Sequence, residues 1–180
     1  GNIGISYKEL REYDLALENY EKQLALCEEI GFNPGISSAN NNFGTVYNRL
    51  GQFDKALSCL SKSIKINRDM GNKKEIAISH GNIALNNIEL GQFDDALKNL
   101  KSAYSLFLEI GDDRMCAMVN ADIGKTYLDM GKCKRAIDSI DISLNVFEKL
   151  KDIPSLTKYM IFKASALFEL KKYDSALLLS

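Results

Sequence analysis

Asparagine stands at positions 2, 42 and 82 and aspartate at 122, each forty residues from the next. A side-chain amide carries both a hydrogen-bond donor and an acceptor, the pair needed to hold one peptide unit of an extended chain. Asn2, Asn42, Asn82 and Asp122 therefore point to recognition rather than to bond breaking. The residues that could break bonds are poorly placed. Cys27, Cys59, Cys116 and Cys133 form no Cys-x-x-Cys pair and have no metal-ligand spacing, and the one histidine, His80, brings them no general base. They read as reduced, apolar packing residues, and His80 as a surface or interface residue. No glycine-rich phosphate loop, informative carboxylate pair or nucleophile motif occurs. The expectation is a non-enzymatic chain with no catalytic residue, no metal and no cofactor.

The elements that position these side chains follow from a second recurrence. Leu50-Gly51-Gln52-Phe53-Asp54-Lys55-Ala56-Leu57 returns forty residues later as Leu90-Gly91-Gln92-Phe93-Asp94-Asp95-Ala96-Leu97, with weaker copies at 10–17, 130–137 and 170–177. A fixed period of this size marks a repeat array. The units run approximately over 1–36 (partial), 37–76, 77–116, 117–156 and 157–180 (partial), each with two helices of about 14 and 17 residues. In the first helix Phe43, Gly44, Tyr47 and Leu50 recur at helical spacing and face a partner helix, as do Ile83, Ala84, Asn87 and Leu90, then Ile123, Gly124, Tyr127 and Met130. Gly51, Gly91 and Gly131 end that helix, and Asp54 and Asp94 are suited to cap the next one. The copy at 170–177 predicts the same turn after Leu170. Gly44, Ala84, Gly124 and Ala164 let the first helix approach the second at Ala56, Ala96, Ala136 and Ala176, since packed helices sit about 8–10 Å apart.

What remains of the first helix is an exposed stripe: Ser38, Asn42, Thr45 and Arg49 in one unit, and Ile78, Asn82, Leu85 and Glu89 in the next. Met118, Asp122, Lys125 and Asp129 follow, then Lys158, Phe162, Ser165 and Glu169. From these the candidate partner-binding set is Asn2, Asn42, Thr45, Arg49, Ile78, Asn82, Leu85, Asp122 and Lys125. If successive first helices lie about 10 Å apart, an extended peptide rising about 3.3 Å per residue meets one asparagine rung roughly every three residues. The alternative is that the asparagines bond neighbouring helices and fix the curvature of the array. Glu89, Asp129 and Glu169 lean acidic, and Ile78, Leu85, Met118 and Phe162 add apolar patches, which suits a ligand with hydrophobic anchors and basic residues.

Composition bounds the partners. Of 180 residues, 46% are hydrophobic and 26% charged, and the net charge is −1, so no global field exists to hold nucleic acid. No apolar run approaches the roughly 18 residues that cross a bilayer, and no charged-then-apolar leader opens the chain, which predicts a cytoplasmic protein without membrane contact. Gly1-Asn2-Ile3-Gly4 aligns with the middle of a first helix and Ser180 with the middle of a second, so the register predicts about four and a half units cut from a longer array.

Phe43-Gly44-x2-Tyr47 with Ala56-x3-Leu60, and Ile123-Gly124-x2-Tyr127 with Ala136-x3-Ile140, resemble the signature of the tetratricopeptide repeat family over essentially the whole chain. Gly44, Tyr47, Ala56, Ala84, Ala96, Gly124, Tyr127 and Ala136 are the matching positions. The forty-residue period exceeds the commoner 34, and this long variant is similar to the arrays of kinesin light chains, LGN/Pins scaffolds, bacterial Rap-type receptors and sensor kinases. The resemblance implies an all-α solenoid, a right-handed superhelix of antiparallel helix pairs whose first helices line a concave groove that binds a protein or extended peptide. A ligand-sensing regulatory module controlling an attached kinase, caspase-like protease or DNA-binding domain is the second implied role. Self-association through the array is the third.

Overall fold

A computed structural model describes the backbone of residues 2–177 and the side chains of residues 3–171. The described backbone is helical between short turns: α1 (Asn2–Glu9), α2 (Tyr13–Glu29), α3 (Asn33–Arg49), α4 (Phe53–Asp69), α5 (Lys73–Glu89), α6 (Phe93–Glu109), α7 (Asp113–Asp129), α8 (Cys133–Lys149) and α9 (Ile153–Leu177). Two compact units divide it, Gly1–Leu90 with α1 to α5 and Gly91–Ser180 with α6 to α9. The all-α class and the helix-pair repeat are as the forty-residue pattern predicts.

Helix length departs from that reading. First and second helices are equal, at 17 residues each from α2 to α8. The first helices reach further forward than expected because Asn72, Asp112 and Asp152 cap them, accepting the backbone N–H of Glu75, Met115 and Ser155 at 3.3, 3.0 and 3.3 Å. Asp54 and Asp94 are not caps: the capping positions of α4 and α6 are Gln52 and Gln92, without a side-chain bond. Both aspartates lie in the first turn, where their charge still favours the positive end of the helix dipole.

Within each unit the turns close the same way. At the end of α3 the N–H of Gly51 donates to Asn48 O at 3.0 Å and that of Gln52 to Tyr47 O at 2.8 Å, which satisfies carbonyls the helix leaves open. The geometry needs a positive φ at the middle residue, supplied by Gly31, Gly51, Gly71, Gly91, Gly111 and Gly131, and by Arg11 (φ 62°) and Lys151 (φ 54°). A side chain in that conformation costs roughly 1–2 kcal/mol. Lys151→Gly is therefore expected to stabilise the second unit by about 1 kcal/mol, seen as a higher denaturant midpoint; a lower one refutes the strain. The turn expected after Leu170 is not made. Lys171, a good helix former, stands at the turn position that Gly51, Gly91 and Gly131 fill, and α9 continues to Leu177.

In the first unit the core gathers Ala16, Tyr20, Ala39, Phe43 and Val46, with the Phe43 ring edge-on to Tyr20 at 5.9 Å. In the second it gathers Ala117, Ala121, Ile140, Phe147 and Tyr159. Tyr47 and Tyr127 are half-buried, each with a cation above the ring, Lys55 at 5.4 Å and Arg135 at 5.8 Å. Leu50 and Leu90 do not pack as expected. Standing at the C-caps, one residue before the turn, they are 37% and 45% exposed.

The small-residue contacts hold in both units. A Cβ on Gly44 would lie 2.5 Å from Leu60 Cγ and 3.2 Å from the Ala56 carbonyl, and one on Gly124 would lie 2.7 Å from Ile140 Cγ1 and 3.0 Å from the Ala136 carbonyl. Ala56 is fully buried. Ala56→Leu is expected to overpack this contact and cost about 1–3 kcal/mol, read as a fall in Tm; an unchanged Tm refutes the contact. Ala164 is exposed, and the Ala176 side chain lies outside the described residues.

Candidate ligand-binding face

In the first unit, α3 and α5 present the exposed stripe. The buried side of α3 is built by Ser37, Ala39, Asn40, Phe43, Gly44 and Val46, which leaves Ser38, Asn42, Thr45 and Arg49 on the opposite side. The buried side of α5 is built by Ile76, Ala77, Ser79, Ile83, Ala84, Asn86 and Asn87. Ile78 and Asn82 are half-buried beside it, and Leu85 is 48% exposed.

Four of the expected residues converge. Thr45, Arg49, Asn82 and Leu85 line one depression of about 80 Å³ together with Gly44, Asn48 and Glu89. Asn82 Nδ2 donates to Asn41 Oδ1 at 2.8 Å, and Thr45 Oγ1 donates to the Asn41 carbonyl at 3.0 Å. Asn41 thus fixes both polar side chains in place. The Asn82 bond joins neighbouring first helices, as the curvature reading of the asparagines requires. It leaves the Asn82 Oδ1 and the second N–H of Nδ2 for another partner. The Asn42 side chain makes no hydrogen bond among the described residues, and the Asn2 side chain lies outside them.

Thr45 and Arg49 also border a second, larger hollow of about 520 Å³ in the same unit, completed by Lys8, Glu9, Arg11 and Tyr13. Composition leaves such a local cluster of cations invisible, because the net charge of the chain is close to zero.

The equivalent stripe of the second unit is closed by its own side chains. Asp122 Oδ1 accepts the Tyr159 hydroxyl at 2.7 Å, with Lys158 Nζ at 3.9 Å. Burial pushes the Asp122 carboxyl above the usual carboxylate range, outweighing the Tyr159 hydrogen bond and the nearby Lys158 and Lys125 charges. Burial beside the same carboxylate also raises the Tyr159 hydroxyl, which stays protonated. Lys125 Nζ pairs with Asp129 Oδ2 at 2.6 Å and lies 5.8 Å from the centre of the Phe162 ring. Asp122 and Lys125 thus stand at the expected register, but their polar atoms already have partners.

Polar residues that the sequence reading did not single out knit the helices beneath these faces. Asn67 Nδ2 donates to Ser37 Oγ and to the Ser63 carbonyl, and Ser79 Oγ donates to Ser63 Oγ at 3.3 Å. All four residues are buried. In the second unit Asn120 Nδ2 donates to the Ser139 carbonyl at 2.9 Å and to Ser143 Oγ at 3.2 Å. One signal for them was the recurrence of Ser63 at Ser143, two periods apart. The four cysteines are unpaired, and burial pushes the Cys59 and Cys116 thiols up. Among the described residues no helix is long and apolar enough to cross a membrane.

Comparison with known proteins places this arrangement. The family model Tetratricopeptide repeat matches residues 1–69, and the model Soluble NSF attachment protein, SNAP, matches residues 44–179. The apo form of RapI is similar at TM-score 0.82 and 20% identity, over 97% of this chain and 64% of RapI. A Rap protein complexed with competence and sporulation factor is similar at TM-score 0.81 and 17% identity, over 97% of this chain and 49% of that one. The repeats of a putative kinesin light chain from Podosopora anserina are similar at TM-score 0.74 and 15% identity, over 99% of this chain and 88% of theirs. The chain therefore spans about half to two thirds of the Rap structures it matches. No curated protein sequence matches it. By the repeat signature, the helix pairs and these models, the chain belongs to the tetratricopeptide repeat proteins and, over 44–179, to the soluble NSF attachment protein family.

Proposed function

We propose that the chain is a non-enzymatic protein- or peptide-binding scaffold, and that its ligand lies on the exposed face of α3 and α5. The convergence of Thr45, Arg49, Asn82 and Leu85 on one depression carries this reading. It combines an amide held by Asn41, an apolar side chain and charges of both signs, Arg49 and Glu89, in reach of one extended segment. A preformed surface of this kind lowers the ordering cost of binding. The attachment role in the family description, and the Rap structure solved with competence and sporulation factor, agree with a ligand-binding use of this fold. In the second unit Asp122 and Lys125 act instead as internal fasteners.

Selection of peptides from a random library on the folded chain, followed by calorimetric titration of a selected peptide, tests the reading. Asn42→Ala combined with Asn82→Ala is expected to weaken binding about tenfold, the loss of one or two hydrogen bonds in a partly exposed site. Unaltered affinity with intact helicity overturns the asparagine contact.

A further inference from the structure

The outward side of α9 is apolar over most of its length. From Ile153 to Phe168 one arc of about 120° holds Ile153, Met160, Ile161, Ala164, Leu167 and Phe168, with Thr157 as its polar member and no charge. Ile153, Met160, Ile161 and Phe168 are 58–68% exposed. Single apolar side chains on a surface are ordinary, whereas a contiguous apolar stripe marks an interaction site.

The repeat itself calls for a helix on this face. Gly124 of α7 stands at the register of Ala164, and there α8 covers it: a Cβ would lie 3.0 Å from the Ala136 carbonyl and 2.7 Å from Ile140 Cγ1. Because α9 runs on through the turn position at Lys171, no second helix among the described residues folds back over Ala164. A hollow of about 570 Å³ between α8 and α9 results, floored by Leu144, Leu156, Met160, Ala164 and Leu167. On its rim Asp141 pairs with Lys163 at 2.5 Å, while Glu148 is exposed and has no ion pair among the described residues.

The stripe is its own complement. It is apolar from end to end, with the acid Glu148 beside its N-terminal end and the exposed base Lys171 at its C-terminal end. A second copy laid antiparallel therefore sets apolar against apolar and acid against base. We propose that this face is a homodimer interface, in which α9 of a second copy fills the α8–α9 hollow about a two-fold axis between residues 160 and 161. That axis puts Ile153 opposite Phe168 of the second copy, and Thr157 opposite its Ala164. The small pair at 157 and 164 lets the helices approach to about 8 Å. One helix pair buries less than the roughly 1,200 Å² of a stable complex, so the dimer is expected to dissociate at about 10–100 µM.

Sedimentation equilibrium of the intact chain over about 1–500 µM, which brackets that range, tests the proposal. The mass is expected to rise from monomer to dimer and no further, because an isologous face closes at two. Ile161→Lys and Phe168→Gln change exposed side chains, and each enters a symmetric interface twice. Each is expected to weaken the dimer at least about tenfold while leaving the helical circular dichroism and Tm of the dilute monomer unchanged. Glu148→Lys and Lys171→Glu are each expected to weaken it about threefold, and the two together to restore it. A parent chain that stays monomeric throughout overturns the proposal, as does a dimer indifferent to Ile161→Lys and Phe168→Gln, or a mass that climbs past the dimer. Failure of the double charge exchange to restore what the single exchanges lose overturns the antiparallel arrangement, and the proposal with it. None of these measurements depends on the ligand of α3 and α5, so the two readings stand or fall separately.

Discussion

Phe147→Ala is expected to cost the second unit about 3–5 kcal/mol, the range for truncating a fully buried aromatic side chain. Phe147 is wholly inaccessible on α8 and stacks on Tyr159 of α9, ring centres 5.6 Å apart and planes within 8°. Removing it leaves a cavity beside Tyr159 in the core that also holds Ala117, Ala121 and Ile140. Small, helix-bound neighbours such as Ala117 and Ala121 have no side-chain freedom with which to refill that space, which places the loss in the upper part of the range. Guanidinium denaturation followed by helical circular dichroism measures it. Phe147→Leu keeps most of the volume and is expected to lose under about 1.5 kcal/mol. A loss below 1 kcal/mol for the alanine variant would show that α8 and α9 do not pack through this ring.

Packing of this kind was legible in the sequence because it repeats. Gly44 against Ala56 and Gly124 against Ala136 follow from small residues recurring at one register, and the structure puts a neighbouring carbonyl within 3.2 Å of each missing Cβ. The helix starts were less legible. Asn72, Asp112 and Asp152 recur at the forty-residue period just as faithfully as Asp54 and Asp94, and only the turn geometry shows which set caps a helix. The binding face was legible as a stripe but not as a surface. Whether an asparagine is committed depends on its neighbours: Asn82 is held by Asn41, and Asp122 by Tyr159, a residue 37 positions away and off the period. The cationic hollow was hidden for a related reason. Aligning Arg11 with Gly51 and Gly91 explains the turn and conceals that it lines one hollow with Arg49 and Lys8.

Tyr159→Phe should be the next most damaging change, costing about 1.5–3 kcal/mol at neutral pH, because it takes from a partly buried carboxylate its one neutral donor. The phenylalanine ring still stacks on Phe147, so the loss isolates the hydroxyl, which donates to Asp122 at 2.7 Å and accepts from Lys158 Nζ at 3.0 Å. The groups facing that carboxylate are Tyr159, Lys158 and Lys125. Its pH dependence has a definite sign. Burial raises the Asp122 carboxyl in the folded state, so the folded chain binds the proton more tightly than the unfolded one. Stability contributed at this site is therefore gained as pH falls through the raised value, and is absent above it. Protonation also removes the charge that needed the hydroxyl, so the deficit of Tyr159→Phe should shrink as pH falls through the same window. Asp122→Asn, which restores the residue found at 42 and 82, should flatten that window altogether. Asp152 acts in the other direction. Its hydrogen bonds from Ser155 and contact with Arg114 hold its carboxyl below the usual range, so its contribution is lost only at more acid pH. Denaturation midpoints of the parent, Tyr159→Phe and Asp122→Asn chains across the acid range separate the two sites. A Tyr159→Phe deficit that stays constant with pH would mean that the hydroxyl stabilises by packing alone and that Asp122 is not the group it serves.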